Sequence, residues 1–488
     1  MMGRSRPCAK KLFYYGVGLD ERIRKSHPLR LIRSRIDFDF VLGEVSSLYG
    51  YNGNKSVPPP VILKLMFLLF FYDVPSEREL METIPERLDW QWFLGYDLDD
   101  EIPDHSVLSK ARRRWGSKGF EGFFVRVVRE CVEAGLVEGK KVHVDGSLVD
   151  ANASTDRVRK GPPELVEALK RRYRLEEGKL EDKVEEGWEE EGGGGGGVNK
   201  GLVSLTDPDS AVVRRGSLSA RPRYKNHRAV DDGQGVITGM ETTSGDVKEN
   251  GLLMGLIEQH ESHTGSKVEV VVGDSQYGTT ENFRECGKRG IRSHMGDMSA
   301  AGAGSGRREG IFSESEFEYD GETDTYRCPA GEILRRRRHK GKRRAYEYTA
   351  GPKVCGGCQL RERCTRSVWG RSVKRHEDHE LIERARMESR SEGARRDRGR
   401  RRYLMEGSFA DAANNHGFKR SRWRGLWRQR IQDYMIAAVQ NVRILVRARG
   451  RKWAEAMAQG RSYVERLLLR LFGGYFGRNC VLGAVLSS

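Results

Sequence analysis

The feature that most constrains the fold is an alternation of strand and helix signals between Lys140 and Gly302. β-Branched residues alternate with polar ones just before Asp145, a valine run over 268–272 reads as a buried strand, and Thr280–Lys288 has helical spacing. Alternation of this βαβ kind predicts an α/β sheet. It is interrupted over 176–197, where acidic residues run into six consecutive glycines. Such a stretch cannot bury enough apolar surface to order itself, and it reads as a flexible surface insertion.

Three acidic residues stand at informative places on this pattern. Asp145 lies in Lys-Val-His-Val-Asp-Gly-Ser, Asp274 in Val-Val-Val-Gly-Asp-Ser-Gln-Tyr-Gly-Thr, and Glu406 in Arg-Arg-Tyr-Leu-Met-Glu-Gly-Ser-Phe. The first two belong with strands, and the third begins a helix that leads through residues 419–428 into Ile431, Met435, Ala438, Val442 and Leu445. Gathered together, three carboxylates suit hard cations such as Mg²⁺ or Mn²⁺, and a carboxylate-held metal pair serves phosphoryl transfer. Each acid also has a plainer role open to it. Asp150 could replace Asp145 as ligand, Asp274 could form an Asx turn or cap the helix near Thr280, and Glu406 could sit in a first helical turn. His143 shares the strand face of Asp145 and reads as a packed or hydrogen-bonded histidine.

Charge points to a polyanionic partner. The chain carries 87 Lys and Arg against 70 Asp and Glu, a net +17, and a basic surface binds nucleic acid by releasing its counterions. Between Arg335 and Arg402 there are 24 basic and 9 acidic residues, so this tract holds +15 of the excess. Arg420, Arg422 and Arg424 are interleaved with Trp423 and Trp427, a mixture able to grip phosphates and stack on unpaired bases.

The remaining regions frame this centre. Residues 1–136 read as an all-helical N-terminal domain. In it Pro58-Pro59-Pro60 stops one element, 61–71 is an apolar helix, Ser76 caps the next, and Pro103-Asp-His-Ser opens a helix carrying Lys110, Arg112, Arg113 and Arg114. Residues 137–302 read as the first part of the α/β domain, 303–402 as a basic insertion, 403–448 as the Glu406 helix and last helix of that α/β domain, and 449–488 as a tail. The insertion contains Cys328, Cys355, Cys358 and Cys364, of which the middle pair has the Cys-x-x-Cys spacing of a zinc knuckle. These four are candidate ligands of a structural Zn²⁺, with His376 and His379 as substitutes and free thiols as the other reading. No apolar stretch approaches the length that spans a bilayer, and the N-terminus reads unlike a signal peptide, so a cytoplasmic location is expected.

In order along the chain, Pro-Pro-Pro-Val-Ile-Leu-Lys-Leu, Val-Pro-Ser-Glu-Arg-Glu-Leu, Ile-Pro-Asp-His-Ser, Val-Asp-Gly-Ser-Leu-Val-Asp-Ala-Asn-Ala-Ser, Gly-Asp-Ser-Gln-Tyr-Gly-Thr and Glu-Gly-Ser-Phe-Ala-Asp-Ala resemble insertion-sequence transposases of the DDE class. The resemblance covers about residues 29–447, in the branch with a helical N-terminal domain and a long insertion before the final Glu. It implies an RNase H-like catalytic fold in which Asp145, Asp274 and Glu406 hold a pair of Mg²⁺ or Mn²⁺ ions. It also implies that Arg402, in an Arg-x-x-x-Glu element, holds a DNA phosphate. Ala413 stands where that family often has a basic residue, a departure that touches the terminal-nucleotide contacts. The implied partners are element ends and target DNA, with a homodimer or larger assembly during synapsis at the nucleoid. An inactive DNA-binding derivative and a nuclease that cuts without joining are the rival readings.

Overall fold

Pro59 and Pro60 begin a helix instead of stopping one. Proline at the first helical positions lacks an N–H that would have no partner there, and its fixed φ is already helical, so α1 spans Pro59–Phe71. The computed structural model describes Met2 and residues 18–50, 55–179, 201–214, 216, 219–298, 310–341 and 344–448. The tail at 449–488 and the stretch 180–197 of the expected insertion lie outside the described residues, while 176–179 continue the helix Pro163–Lys179. The chain groups into two compact units, one of residues up to Leu136 with those from Met435, the other Val137–Tyr434.

The first unit is helical. α1 is buried on almost every side, as an all-apolar helix must be, and Phe67 packs with Phe38, Phe93 and Phe123 at ring-centroid distances of 5.8, 6.0 and 6.4 Å. α2 (Glu77–Thr83) is capped as its sequence predicts, the Ser76 hydroxyl accepting from Glu79 N at 3.1 Å. After α3 (Leu88–Leu94) comes the basic helix α4 (Ser106–Trp115). On it Arg112 is buried and paired with Glu77, and Arg114 lies 4.4 Å over the Tyr49 ring, which leaves Lys110 and Arg113 exposed.

The second unit is built on a mixed sheet. Its strands are β1 (Lys141–Asp150), β2 (Arg221–Asp231), β3 (Ile237–Ser244), β4 (Val270–Gly273) and β5 (Arg292–Met295). They lie in the order β3-β2-β1-β4-β5, and the short strand Ala211–Val213 shares the outer edge of β2. The first three are antiparallel neighbours, whereas β4 and β5 run parallel to β1. α5 (Leu253–Thr264) carries the chain from β3 across to β4, and α6 (Thr280–Lys288) makes the helical crossover that the parallel neighbours β4 and β5 require. Val142 and Val144 join Val271, Leu256, Ile257, Phe283 and Met295 in the core. The alternate residues of β1 meet a different partner, because Lys141 pairs with Asp397 and Asp145 with Arg401 on the long helix Glu392–Asn415.

Between β5 and that helix stands a second, five-stranded sheet. Its strands β6 (Glu318–Asp320), β7 (Thr325–Arg327), β8 (Ile333–Lys340), β9 (Ala345–Thr349) and β10 (Ser372–His376) are antiparallel in the order β10-β9-β8-β7-β6. Its core is small: Phe317, Tyr326, Leu334, Tyr348 and Val373. Two helices follow, α7 (His379–Arg390) and α8 (Glu392–Asn415). Glu406 is therefore deep within α8 and not at its start, because the helix nucleates at Ser391, whose hydroxyl accepts from Ala394 N at 3.1 Å. α8 also ends before Lys419, so the segment 416–425 is not helical, and helix resumes over 426–448.

Candidate metal and nucleic-acid site

Strand register alone brings Asp145 and Asp274 side by side. β1 and β4 are parallel partners, with His143 opposite Val272. Each acid lies two residues further along its own chain, at the carboxyl end of the pair. That end of an open α/β sheet is where ligands commonly bind. Glu249, in the short 3₁₀ turn Glu249–Leu252 ahead of α5, is folded against the same place. Carboxylate oxygens of Asp145, Glu249 and Asp274 all lie within 4.8 Å of one another, and among the described residues this is the one group of three potential ligands so placed.

Neighbouring groups hold the trio in position. Asp145 accepts from its neighbour Gly146 N at 2.9 Å through Oδ1 and from Arg401 Nη1 at 2.6 Å through Oδ2. Asp274 accepts from Gln276 N at 2.8 Å, so it does form an Asx turn, but the cap of α6 is Thr279. Glu249 is paired with Lys225 Nζ at 3.4 Å. Gly146 leaves the room Glu249 needs, since a Cβ there would stand 3.0 Å from Glu249 Oε1 and 3.2 Å from His227 Nδ1.

Burial first, and the crowding of like charges after it, shows in the ionisation of these groups. Burial raises the Asp145 carboxyl above its usual range, against the lowering effect of Arg401, and the nearby Asp274 raises it further. Burial likewise raises Glu249, Lys225 opposes the shift, and Asp274 and Asp145 add to it. Burial lifts the Tyr277 phenol well above its normal value, reinforced by Glu249, Asp145 and Asp274. Three oxygen-donor carboxylates, all acceptors and mutually repelling, fit a hard divalent cation.

The other expected residues are distributed differently. Glu406 is exposed on α8 and is not part of the trio. Arg402 is also exposed, and it is the adjacent Arg401 that reaches Asp145. Asp150, the alternative to Asp145, is bound by Arg223 at 2.6 Å. His143 is buried against Asp232, with Nε2 2.7 Å from Oδ1. The segment 419–424 runs along the end of β1, as Asp150 N donates to Lys419 O at 2.9 Å and Ser421 N to Asp150 O at 2.8 Å. This places Arg420 and Arg424 on the surface beside that strand end, with Arg424 Nε donating to Asn152 O at 3.2 Å, and leaves Arg422 half-buried. Lys419, unremarked in the sequence, donates to Ser147 Oγ at 3.0 Å, two residues from Asp145.

Cys328, Cys355, Cys358 and Cys364 line one cavity beside the small sheet and carry no disulfide. Burial raises the Cys364 thiol, Arg371 opposes the shift, and the other three cysteines add to it. His376 donates no contact to that cavity, its Nδ1 instead accepting from Asp378 N at 3.0 Å.

Compared with known families, residues 17–114 match the model described as Transposase domain (DUF772), and residues 327–446 match the model described as Transposase DDE domain. No curated protein and no solved structure matches the chain. Among the described residues, no helix is long and apolar enough to cross a membrane.

Proposed function

The chain belongs to the insertion-sequence transposases of the DDE class, and from that premise we propose that it cuts the ends of its element and joins the freed 3′-hydroxyls to target DNA. The observation that carries this reading is the convergence of Asp145, Asp274 and Glu249 at the carboxyl end of two parallel strands. The order β3-β2-β1-β4-β5, an antiparallel meander extended by two parallel strands, supports an RNase H-like fold for this unit.

Asp145, Asp274 and Glu249 would hold divalent metal, Mg²⁺ or Mn²⁺. Bound there, the metal would supply charge neutralisation for the attacking and leaving oxygens of an in-line displacement. The protein's own groups do the positioning. Arg401 orients Asp145 and opposes the burial that raises its carboxyl, and Lys225 does the same for Glu249. Glu406 follows Arg401 by five residues on α8, about 7.5 Å along the helix but about 140° around it, and the role we assign it, closing the site, requires α8 to turn when DNA is bound. Lys419, Arg420, Arg424 and Arg402 offer phosphate contacts beside the acids, and the exposed Arg335 to Arg338 of β8 extend the basic surface. Synapsis of two element ends requires at least a dimer at the moment of reaction, and DNA chemistry of this kind belongs in the cytoplasm at the nucleoid.

Purified chain, Mg²⁺ and labelled element ends test the proposal. Cleavage followed by strand transfer is the expected result. Cleavage without joining would make the chain a nuclease, and end binding with neither reaction would make it a DNA-binding derivative.

A further inference from the structure

The stretch 351–371 has no apolar core of its own. It contains two short helices, Pro352–Gly356 and Arg361–Cys364, neither with a buried residue. Within it Gly370 alone is buried. Yet it folds back on the small sheet at a defined place, with Phe312 N donating to Arg363 O at 2.7 Å and Cys355 packed against Gly370. What it brings to that place is sulfur. Cys355 and Cys358 come from one helix and the turn after it, Cys364 from the end of the next, and Cys328 from the tight loop between β7 and β8. All four line a single cavity floored by Phe312 and Leu334.

We propose that these four cysteines form a tetrahedral Zn²⁺ site that staples the stretch 351–371 to the small sheet. Segments too poor in apolar surface to fold on their own gain their stability from bound metal, and binding energy becomes folding energy. Cys₄ is the ligand set of structural zinc, and four protein ligands leave no open position for catalysis. At a Zn–S length of about 2.3 Å, tetrahedral sulfurs stand about 3.8 Å apart. No three of the sulfurs lie within 4.8 Å of one another as the acids' oxygens do, so at least one must move in to complete the tetrahedron. With no buried residue of their own, the two short helices can close that difference when their thiols ionise onto the metal.

The test uses the full chain, purified after growth with zinc and again after exchange into Co²⁺. One tightly held zinc per chain is expected, surviving magnesium removal. The cobalt form should show the intense thiolate-to-metal charge transfer and visible bands of a tetrahedral four-sulfur site. The double variant Cys355→Ser/Cys358→Ser should lose both signals, while Asp145→Asn and Asp274→Asn keep them. Hydrogen exchange over 351–371 should rise sharply when zinc is stripped from the wild-type protein. Four freely titrating thiols with no bound zinc would overturn the proposal, as would two disulfides, the visible absorption of an iron–sulfur cluster, or a cobalt spectrum without sulfur ligation. Each of these failures would leave the reading of the acidic site untouched.

Discussion

Asp145→Asn or Asp274→Asn should abolish strand transfer while leaving end binding nearly intact, measured by gel shift beside the joining assay. Both acids are legible in the sequence because Asp145 lies within β1 and Asp274 directly follows β4, and a strand pattern fixes where such side chains go. Glu249 is not legible. It sits in Gly-Asp-Val-Lys-Glu-Asn, which has no strand or helix pattern, and its place depends on the 3₁₀ turn ahead of α5 and on the missing side chain at Gly146. Gly146→Ala should push the Glu249 carboxylate aside and raise the half-saturating metal concentration on the order of 10-fold, read from a metal titration of activity. Proton linkage gives a third expectation. The folded values of Asp145 and Glu249 are raised. Their contribution to stability is therefore fully present below the ordinary carboxylate range and is lost as pH rises through the raised values. Bound cation offsets that loss, and protons displace it as pH falls. Mg²⁺ should thus raise the melting temperature more at neutral than at mildly acidic pH, and an equal increment at both would contradict the assignment.

At the scale of elements, periodicity revealed existence better than limits. The apolar helix α1 was plain, but the proline triplet before it looked like a stop because proline breaks helices everywhere except at their first turn. Phe67→Ala should cost about 3–5 kcal/mol, since the ring is fully buried among Phe38, Phe93 and Phe123, and chemical denaturation followed in the helical unit would show it. α8 departs from expectation for a different reason. Its first half is the arginine-rich end of the basic tract, which reads as a surface for nucleic acid, yet Lys141 pairs with Asp397, Arg400 with Asp232 and Arg401 with Asp145. Charges that look like surface in one dimension are the helix's grip on β1 and the turn after β2 in three. The break at 416–425 was hidden in the same way, because its backbone bonds to the end of β1 and not to itself.

For the whole molecule, the excess of basic residues foretold a polyanionic partner but not the path of contact. Some of the basic residues counted towards it are committed internally, and those left exposed beside the acids are few. Lys419→Ala should weaken binding of all DNA sequences alike and reduce the slope of log affinity against log salt by about one, measured by fluorescence anisotropy. The central claim is that Asp145, Asp274 and Glu249 together form a seat for divalent metal, and calorimetric titration with Mn²⁺ in the absence of DNA tests it most directly. Saturable binding should be lost in Asp145→Asn and in Asp274→Asn, and weakened in Glu249→Gln, while Asp150→Asn leaves it unchanged. Undiminished Mn²⁺ binding by any of the first three variants would contradict the account.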